Sequence, residues 1–367
     1  MKNLVTCCFI FLLFQSSGRI AKETIIKKDI TPTSNIFIIT LDGFRWQEVF
    51  DGADSELINN ETYTTDTATM KMLYWSDDTE GRRKKLLPFF WNVIAKKGQL
   101  YGNRRYNNKV NVANAYAISY PGYNEIFSGN TDLSISSNEK ILNHNVTVLE
   151  WLNKKEPFRG KIAAFSSWDV FPFILNEKRS QLISNSGYEN MNDDNNPQLA
   201  IINEVQNKGV LQKEHTRHDL LTFLTAREYI DVHHPKVVFL GLGETDEAAH
   251  LSRYDTYLEK AAAADRMIAE LWHWVQSTPG YKDNTTFIIT TDHGRGRKSK
   301  SWMNHGMFID GSSQTWLALI GPTIAAAGEI KDNQQLYQKQ LAQTIAAFVG
   351  EQFLPGEQVA EPLSFKQ

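Results

Sequence analysis

The sequence predicts an α/β fold: a mostly parallel central sheet with helices on both faces. Three observations carry that prediction. Three continuous apolar runs each break off at an acidic residue. Helical patterns separate the later runs. The runs are too uniformly apolar for strands with one wet face. The chain has 367 residues, 41% hydrophobic and 22% charged, which excludes collagen-like, coiled-coil and wholly disordered chains. A formal charge of -3 lacks the basic excess of a nucleic-acid binder, so a duplex is not an expected partner.

The N-terminus reads as an export signal. Lys2 supplies the positive start, residues 4–14 form an apolar run, and Gln15-Ser16-Ser17-Gly18 is a small polar exit. The run is too short for a membrane span, and no later stretch is long enough to be one. Residues 1–21 are therefore expected to be a signal peptide, cleaved between Gly18 and Lys22. Residues 22–367 are expected to form a single α/β domain, exported to the periplasm or the exterior. Cys7 and Cys8 both fall in the signal, so the mature chain has no cysteine nucleophile and no thiolate metal site. Losing Lys2 and Arg19 takes the charge from -3 to -5.

The first strand is predicted over residues 35–41 and stops at Asp42-Gly43. Residues 52–85 are rich in Asp, Thr, Lys and Arg and end in Arg82-Arg83-Lys84-Lys85. They read as a surface insertion with a solvated basic run. Residues 185–198 read as a polar loop. A helix is predicted over 218–232, closed by Pro235, and a second strand over 236–243, ending at Glu244-Thr245-Asp246. The helix predicted over 252–277 has apolar residues near helical spacing and stops at Pro279-Gly280. A third strand, 285–291, ends at Asp292-His293-Gly294. Ligands gather at the carboxyl ends of parallel strands. Three carboxylates crowded there repel one another, and a bound cation relieves that repulsion.

The spacing of the polar residues suits metal. Asp246 and His250 are four apart, which places both on one face of a helical turn. Asp292 and His293 adjoin past a strand, and His305 precedes Gly306. Imidazole with carboxylate suits zinc, and an oxygen-richer set suits manganese or iron. Ser119 lies two residues before Pro121. One reading makes it a helix N-cap and nothing more. The other makes it a nucleophile at a helix N-terminus.

Taken together, Asp42-Gly43, Ser119-x-Pro121, Asp246-x-x-x-His250, Asp292-His293-Gly294 and His305-Gly306 resemble the alkaline phosphatase superfamily. The resemblance is to its nucleotide pyrophosphatase/phosphodiesterase-like branch of metal-dependent phosphatases. It runs from about Asn35 to Pro362 and implies an alkaline phosphatase-like catalytic fold with surface insertions. It also implies an exported phosphoric ester hydrolase, phosphodiesterase or phosphatase, acting on a small phosphorylated substrate. Two divalent ions are implied, zinc in most members, with manganese as the alternative. Asp42, Ser119, Asp292 and His293 would hold one ion. Asp246, His250 and His305 would hold the other. Ser119 would attack phosphorus, giving a phosphoseryl intermediate that water hydrolyses. Asn138, and after it Asn124, is the expected donor to the phosphate.

The departures narrow the reading. Many phosphodiesterase relatives carry threonine at the Ser119 position. A formylglycine sulfatase needs arginine where Tyr123 stands. The segment Phe165-Ser166-Ser167-Trp168-Asp169-Val170 lacks the Lys/Arg pair of many monoesterases, which favours a phosphodiester. The loop 295–300 is read as solvated, with a role toward an anionic substrate as the alternative. A phosphotransferase or mutase, a sulfatase-like member and a degenerate binding protein remain the competing readings.

Overall fold

A computed structural model of the chain describes residues 32–366, so the signal-peptide reading of residues 1–21 lies outside the described residues. Eleven strands are described: β1 Asn35–Leu41, β2 Gln99–Tyr101, β3 Asn108–Asn111, β4 Ile162–Ser166, β5 Ile183–Ser186, β6 Val237–Leu242, β7 Thr285–Thr290, β8 Gln314–Thr315, β9 Leu317–Ile320, β10 Gly328–Glu329 and β11 Gln334–Tyr337. Eight form one sheet in the order β10-β2-β9-β7-β1-β6-β4-β5, and β11-β3-β8 form a second. The predicted strands β1, β6 and β7 are adjacent and parallel at its centre, with Ile36 opposite Val237 and Thr286. β9 runs antiparallel to β7 and to β2.

Alternation along the strands explains why the runs are apolar throughout. Phe37, Ile39 and Leu41 of β1 join one core with Val238, Leu240, Phe287 and Ile289. Ile36 and Ile38 point the other way and pack with Val237, Phe239 and Ile288. Successive side chains of a strand face opposite sides, so a sheet covered twice needs apolar residues at both parities. The Tyr254–Ser277 and Asp219–His233 helices contribute to the first core. The Ser119–Ser128 and Leu341–Phe348 helices contribute to the second.

The two long helices lie within two residues of their predicted bounds. The insertion differs more from its reading. It folds into helices Ser55–Ile58, Thr67–Tyr74 and Thr79–Leu86. Its basic run is not a uniformly solvated face. Arg82 donates to the carbonyls of Asp51, Ser76 and Asp77, and the Arg83 guanidinium lies 3.5 Å over the Trp91 ring. The polar loop 185–198 begins inside β5, so its first two residues are strand.

One buried acid links two helical segments. The Asp265 carboxylate accepts from the amides of Phe89 at 2.8 Å and Phe90 at 3.0 Å. Burial pushes its pKa from 3.8 up to about 7, partly offset by those amides. The unfolded chain therefore ionises Asp265 first as pH rises, and the folded state loses stability between about pH 4 and 7. The slope is at most about 1.4 kcal/mol per pH unit. Urea denaturation at pH 5 and 7 should show a smaller pH dependence in Asp265→Asn than in the parent. An equal dependence contradicts this.

Candidate active site

The parallel arrangement brings three strand ends to one edge of the sheet. β1 delivers Asp42, β7 delivers Asp292 and His293 through Thr291, and β6 delivers the helix Glu244–His250. Thr245 donates to the Asp42 carbonyl at 2.6 Å and ties the β6 helix to the end of β1. Two clusters result: Asp42, Asp292 and His293, and Asp246, His250 and His305. In each, the possible ligand atoms lie within 4.8 Å of one another.

The first cluster is buried. Each carboxylate has one oxygen held by the protein. Asp42 Oδ2 accepts from the Tyr123 hydroxyl at 3.0 Å, and Asp292 Oδ1 from the Gly43 amide at 3.0 Å. Their other oxygens, Asp42 Oδ1 and Asp292 Oδ2, are buried without a hydrogen-bond partner among the described residues. Both face His293 Nε2, at 3.5 and 3.4 Å. His293 Nδ1 lies 2.9 Å from the Gly294 carbonyl, which can only accept. The proton therefore sits on Nδ1, and the Nε2 lone pair points into the site. Burial holds His293 neutral, down to about 4. Burial, then Asp292 and Asp246, pushes the Asp42 carboxyl up. Burial also raises Asp292 to about 6. Orphaned oxygens cost free energy unless something satisfies them. Two such oxygens with a lone-pair nitrogen form a donor set that fits a divalent cation.

Ser119 Oγ lies 3.2 Å from His293 Nε2. The reading of Ser119 as an N-cap is corrected here. Ile118 occupies the cap position without a side-chain hydrogen bond, and Ser119 is the first helical residue. The approach to the helix is shaped from below. Glu125 accepts from the Ala113 and Asn114 amides and from the Asn114 side chain. Asn114 Oδ1 in turn accepts from the amides of Tyr116 and Ala117. Ala117 is held at φ 48, an unusual conformation for a residue with a Cβ.

The second cluster is more open. His250 Nε2 lies 3.0 Å from Asp246 Oδ2 and 3.0 Å from His305 Nε2. The His305 ring stacks on His293 with centroids 3.9 Å apart. Burial and the adjacent His293 push His305 down to about 2. His305 Nδ1 faces the Ala117 carbonyl at 3.3 Å, leaving Nε2 for the site. Burial alone would raise Asp246. The Arg295 guanidinium overrides it and holds that carboxyl well below its usual range.

Arg295 corrects the reading of 295–300 as a solvated loop. Its side chain is fully buried, pairing with Asp246 Oδ1 and donating to the Met303 carbonyl. Arg297, two residues on, is exposed and pairs with Asp310. Gly43 makes room for this packing. It adopts φ 58, and a Cβ there would lie 2.6 Å from Asp246 Oδ1 and 2.9 Å from Arg295 Nε. Gly43→Ala should therefore displace Asp246 and His293 and weaken any divalent-cation binding by these clusters at least about tenfold. A divalent-cation titration checks it, and an isotherm identical to the parent's contradicts it.

The clusters open into a cleft of about 430 Å³ lined by Asn138, Lys140, Trp168, Asp169, Val170 and His215, among others. Asn138 Oδ1 accepts from the Tyr120 amide, which turns its nitrogen away from that bond. Asn124 is not among the lining residues. Its side chain is buried and bonded to Asn130, Asn143 and Asn145, so the structure does not support it as a substrate donor. The absence of a basic residue was read from 165–170 alone. Lys140 reaches the same wall from another loop, 2.7 Å from Asp169, and His215 lies 3.1 Å from that carboxylate. His215 thus borders the cleft. His218 pairs with Glu244 at 2.9 Å.

Beneath the site, Arg45 pairs with Glu48, and Glu48 also accepts from the Tyr254 hydroxyl. Arg45 donates to the Gly296 carbonyl at 3.2 Å, joining the β1 end to the loop that carries His305. Sequence reasoning missed Tyr123, Glu125, Arg295 and this pair as supports of the site.

The profile of the family described as Type I phosphodiesterase / nucleotide pyrophosphatase matches residues 54–342. A comparison with curated proteins finds no match. Among solved structures, a putative sulfatase from Bacteroides thetaiotaomicron is 12% identical with a TM-score of 0.58, covering 90% of this chain and 73% of that one. The wild-type alkaline phosphatase PafA is 13% identical with a TM-score of 0.57, covering 91% and 99%. The lipoteichoic acid synthase LtaP from Listeria monocytogenes is 10% identical with a TM-score of 0.55, covering 90% and 74%. At these identities the likeness concerns the fold, a mixed α/β sheet flanked by helices as in alkaline phosphatase.

Proposed function

The chain belongs to the type I phosphodiesterase / nucleotide pyrophosphatase family, and from that premise we propose an exported phosphodiesterase that uses Ser119 as nucleophile beside two divalent cations. The observation that carries the reading is the pair of orphaned oxygens, Asp42 Oδ1 and Asp292 Oδ2, converging on His293 Nε2. Asp42, Asp292 and His293, with Ser119 Oγ, would hold one cation. Asp246, His250 and His305 would hold the other. Zinc suits these nitrogen and oxygen donors. Two bound cations supply positive charge to the attacking and leaving oxygens of an in-line displacement and lower the pKa of a hydroxyl or water.

The protein's own part is positioning. The helix N-terminus and the Glu125–Asn114 scaffold fix Ser119 against the buried carboxylates. Ser119 Oγ would bond to phosphorus as the bond to the first alcohol breaks, the serine proton leaving with that alcohol. Water would then cleave the serine–phosphorus ester, freeing the phosphate monoester and restoring the serine hydroxyl, with His250 and His305 on the leaving-group side. Asn138, which lines the cleft with its Oδ1 taken by the Tyr120 amide, would donate its amide N–H to a phosphoryl oxygen.

The cleft wall supports a diester over a monoester. Trp168 and Val170 are apolar or amphipathic there, and the one lysine, Lys140, is already paired with Asp169. A monoester dianion finds no unpaired lysine or arginine among the lining residues. The mature chain from residue 22, loaded with zinc, should hydrolyse bis-p-nitrophenyl phosphate at least about tenfold better than p-nitrophenyl phosphate or p-nitrophenyl sulfate. A chelator should abolish the activity. Preference for the monoester would overturn the diester assignment, and chelator-resistant turnover would overturn the cation sites. Among the described residues no helix is long and apolar enough to cross a membrane. Export is tested by sequencing the N-terminus of protein recovered outside the cytoplasm. A start between Gly18 and Lys22 supports it, and retention inside with Met1 intact contradicts it.

A further inference from the structure

The charges around the two clusters are unequal. Asp42 and Asp292 bring two carboxylates into a buried position at the floor of the cleft, and among the described residues neither pairs with a lysine or an arginine. The other cluster has one carboxylate, Asp246, and that carboxylate already faces a cation. Arg295 Nη2 pairs with Asp246 Oδ1 and lies 3.2 Å from the Asp246 carbonyl.

This guanidinium is fixed. Its side chain has no exposure, its Nη1 is bonded to the Met303 carbonyl, and Gly43 packs against its Nε. It cannot swing into water when an ion arrives. An incoming divalent cation therefore meets a resident positive charge in a low-dielectric setting, where like charges repel strongly. The guanidinium also draws electron density from Asp246, which leaves Oδ2 a poorer donor. Access differs as well. The His250 side chain is 45% exposed, whereas Asp292 and His293 show none.

We propose that Arg295 makes the two cation positions unequal: the ion held by Asp42, Asp292 and His293 is retained, and the ion held by Asp246, His250 and His305 exchanges. Arg295 acts here as a positioning residue, through Asp246. The inference rests on the two-cation reading above and adds an order of occupancy to it. At limiting zinc the protein holds one ion, with the Arg295–Asp246 pair intact on the leaving-group side.

The test is zinc titration of the metal-stripped mature chain against a competing chelator, read as binding rather than turnover. The wild type should show two phases at least about tenfold apart, the scale of outer-shell effects on metal affinity. Asp292→Asn should remove the tight phase and Asp246→Asn the weak one. Arg295→Met should tighten the weak phase at least about tenfold, while Arg295→Lys keeps the wild-type separation. If Arg295→Met does not fold by circular dichroism, Arg295→Gln replaces it, since it removes the charge and keeps a donor for Met303. Two equal phases in the wild type would overturn the inference. So would loss of the tight phase in Asp246→Asn, or an unchanged separation in the neutral Arg295 variant. Those results leave the proposed function standing. Zinc failing to bind at all would overturn the proposed function itself.

Discussion

Ser119→Ala is expected to lower zinc-dependent diester turnover at least about 10³-fold while leaving the fold and the zinc stoichiometry in place. The reasoning rests on what Ser119 does not do. Its hydroxyl caps no helix, since Ile118 sits at the cap, and its described bond is to His293 Nε2. Removing one oxygen therefore leaves the three-residue cluster Asp42, Asp292 and His293 intact. A rate ratio from single-turnover kinetics, with zinc counted by mass spectrometry, separates the roles. Turnover above a tenth of the parent in a zinc-replete variant would remove Ser119 from the chemistry. A matching loss of zinc would make it chiefly a ligand.

The second large effect concerns stability. Glu48→Ala should cost about 3 kcal/mol, the lower end of the penalty for breaking a buried pair, because Arg45 keeps the partly exposed Asp54 carboxylate at 3.8 Å. Arg45 and Glu48 are 1% and 0% exposed, so water cannot replace the lost carboxylate. The Tyr254 hydroxyl loses its acceptor at the same time. The damage should reach the site, because Arg45 also holds the Gly296 carbonyl in the loop leading to His305. Replacing both partners, as in Arg45→Met with Glu48→Leu, should recover most of the loss, since a buried pair contributes little net stability over apolar packing. Urea denaturation measures both. A loss below about 1 kcal/mol in Glu48→Ala would show that water reaches Arg45.

These supports show where sequence reading stops. β1, β6 and β7 were legible because a strand buried on both faces has no polar position to disguise it. Asp246 and His250 were legible because a helical turn fixes their relation locally. β4 and β9 were harder. Ile162–Ser166 contains two alanines, and Leu317–Ile320 has only four residues, so neither differs from a short core segment of any type. Their neighbours in the sheet are long-range, and no local pattern encodes them.

Arg295 was misread for a similar reason. It sits in a run with Arg297, Lys298 and Lys300, which favours solvent for all four. Its partner Asp246 lies 49 residues away, and only the approach of β6 to β7 across β1 brings them together. Arg45 and Glu48 look like an exposed i, i+3 pair until the insertion and the Tyr254–Ser277 helix cover them. Lys140 and His215 reach the cleft from separate loops, so a search confined to 165–170 finds neither. Groups fixed by local geometry were readable, and groups fixed by tertiary contact were not.

Phosphoryl transfer through Ser119 fixes the stereochemical course at phosphorus. A chiral phosphorothioate diester would be hydrolysed by the zinc-loaded chain in isotopically labelled water, and the configuration of the product determined. Attack by Ser119 followed by attack of water makes two in-line displacements, each inverting phosphorus, so net retention is expected. Net inversion would mean a single direct attack by water and would contradict transfer through Ser119.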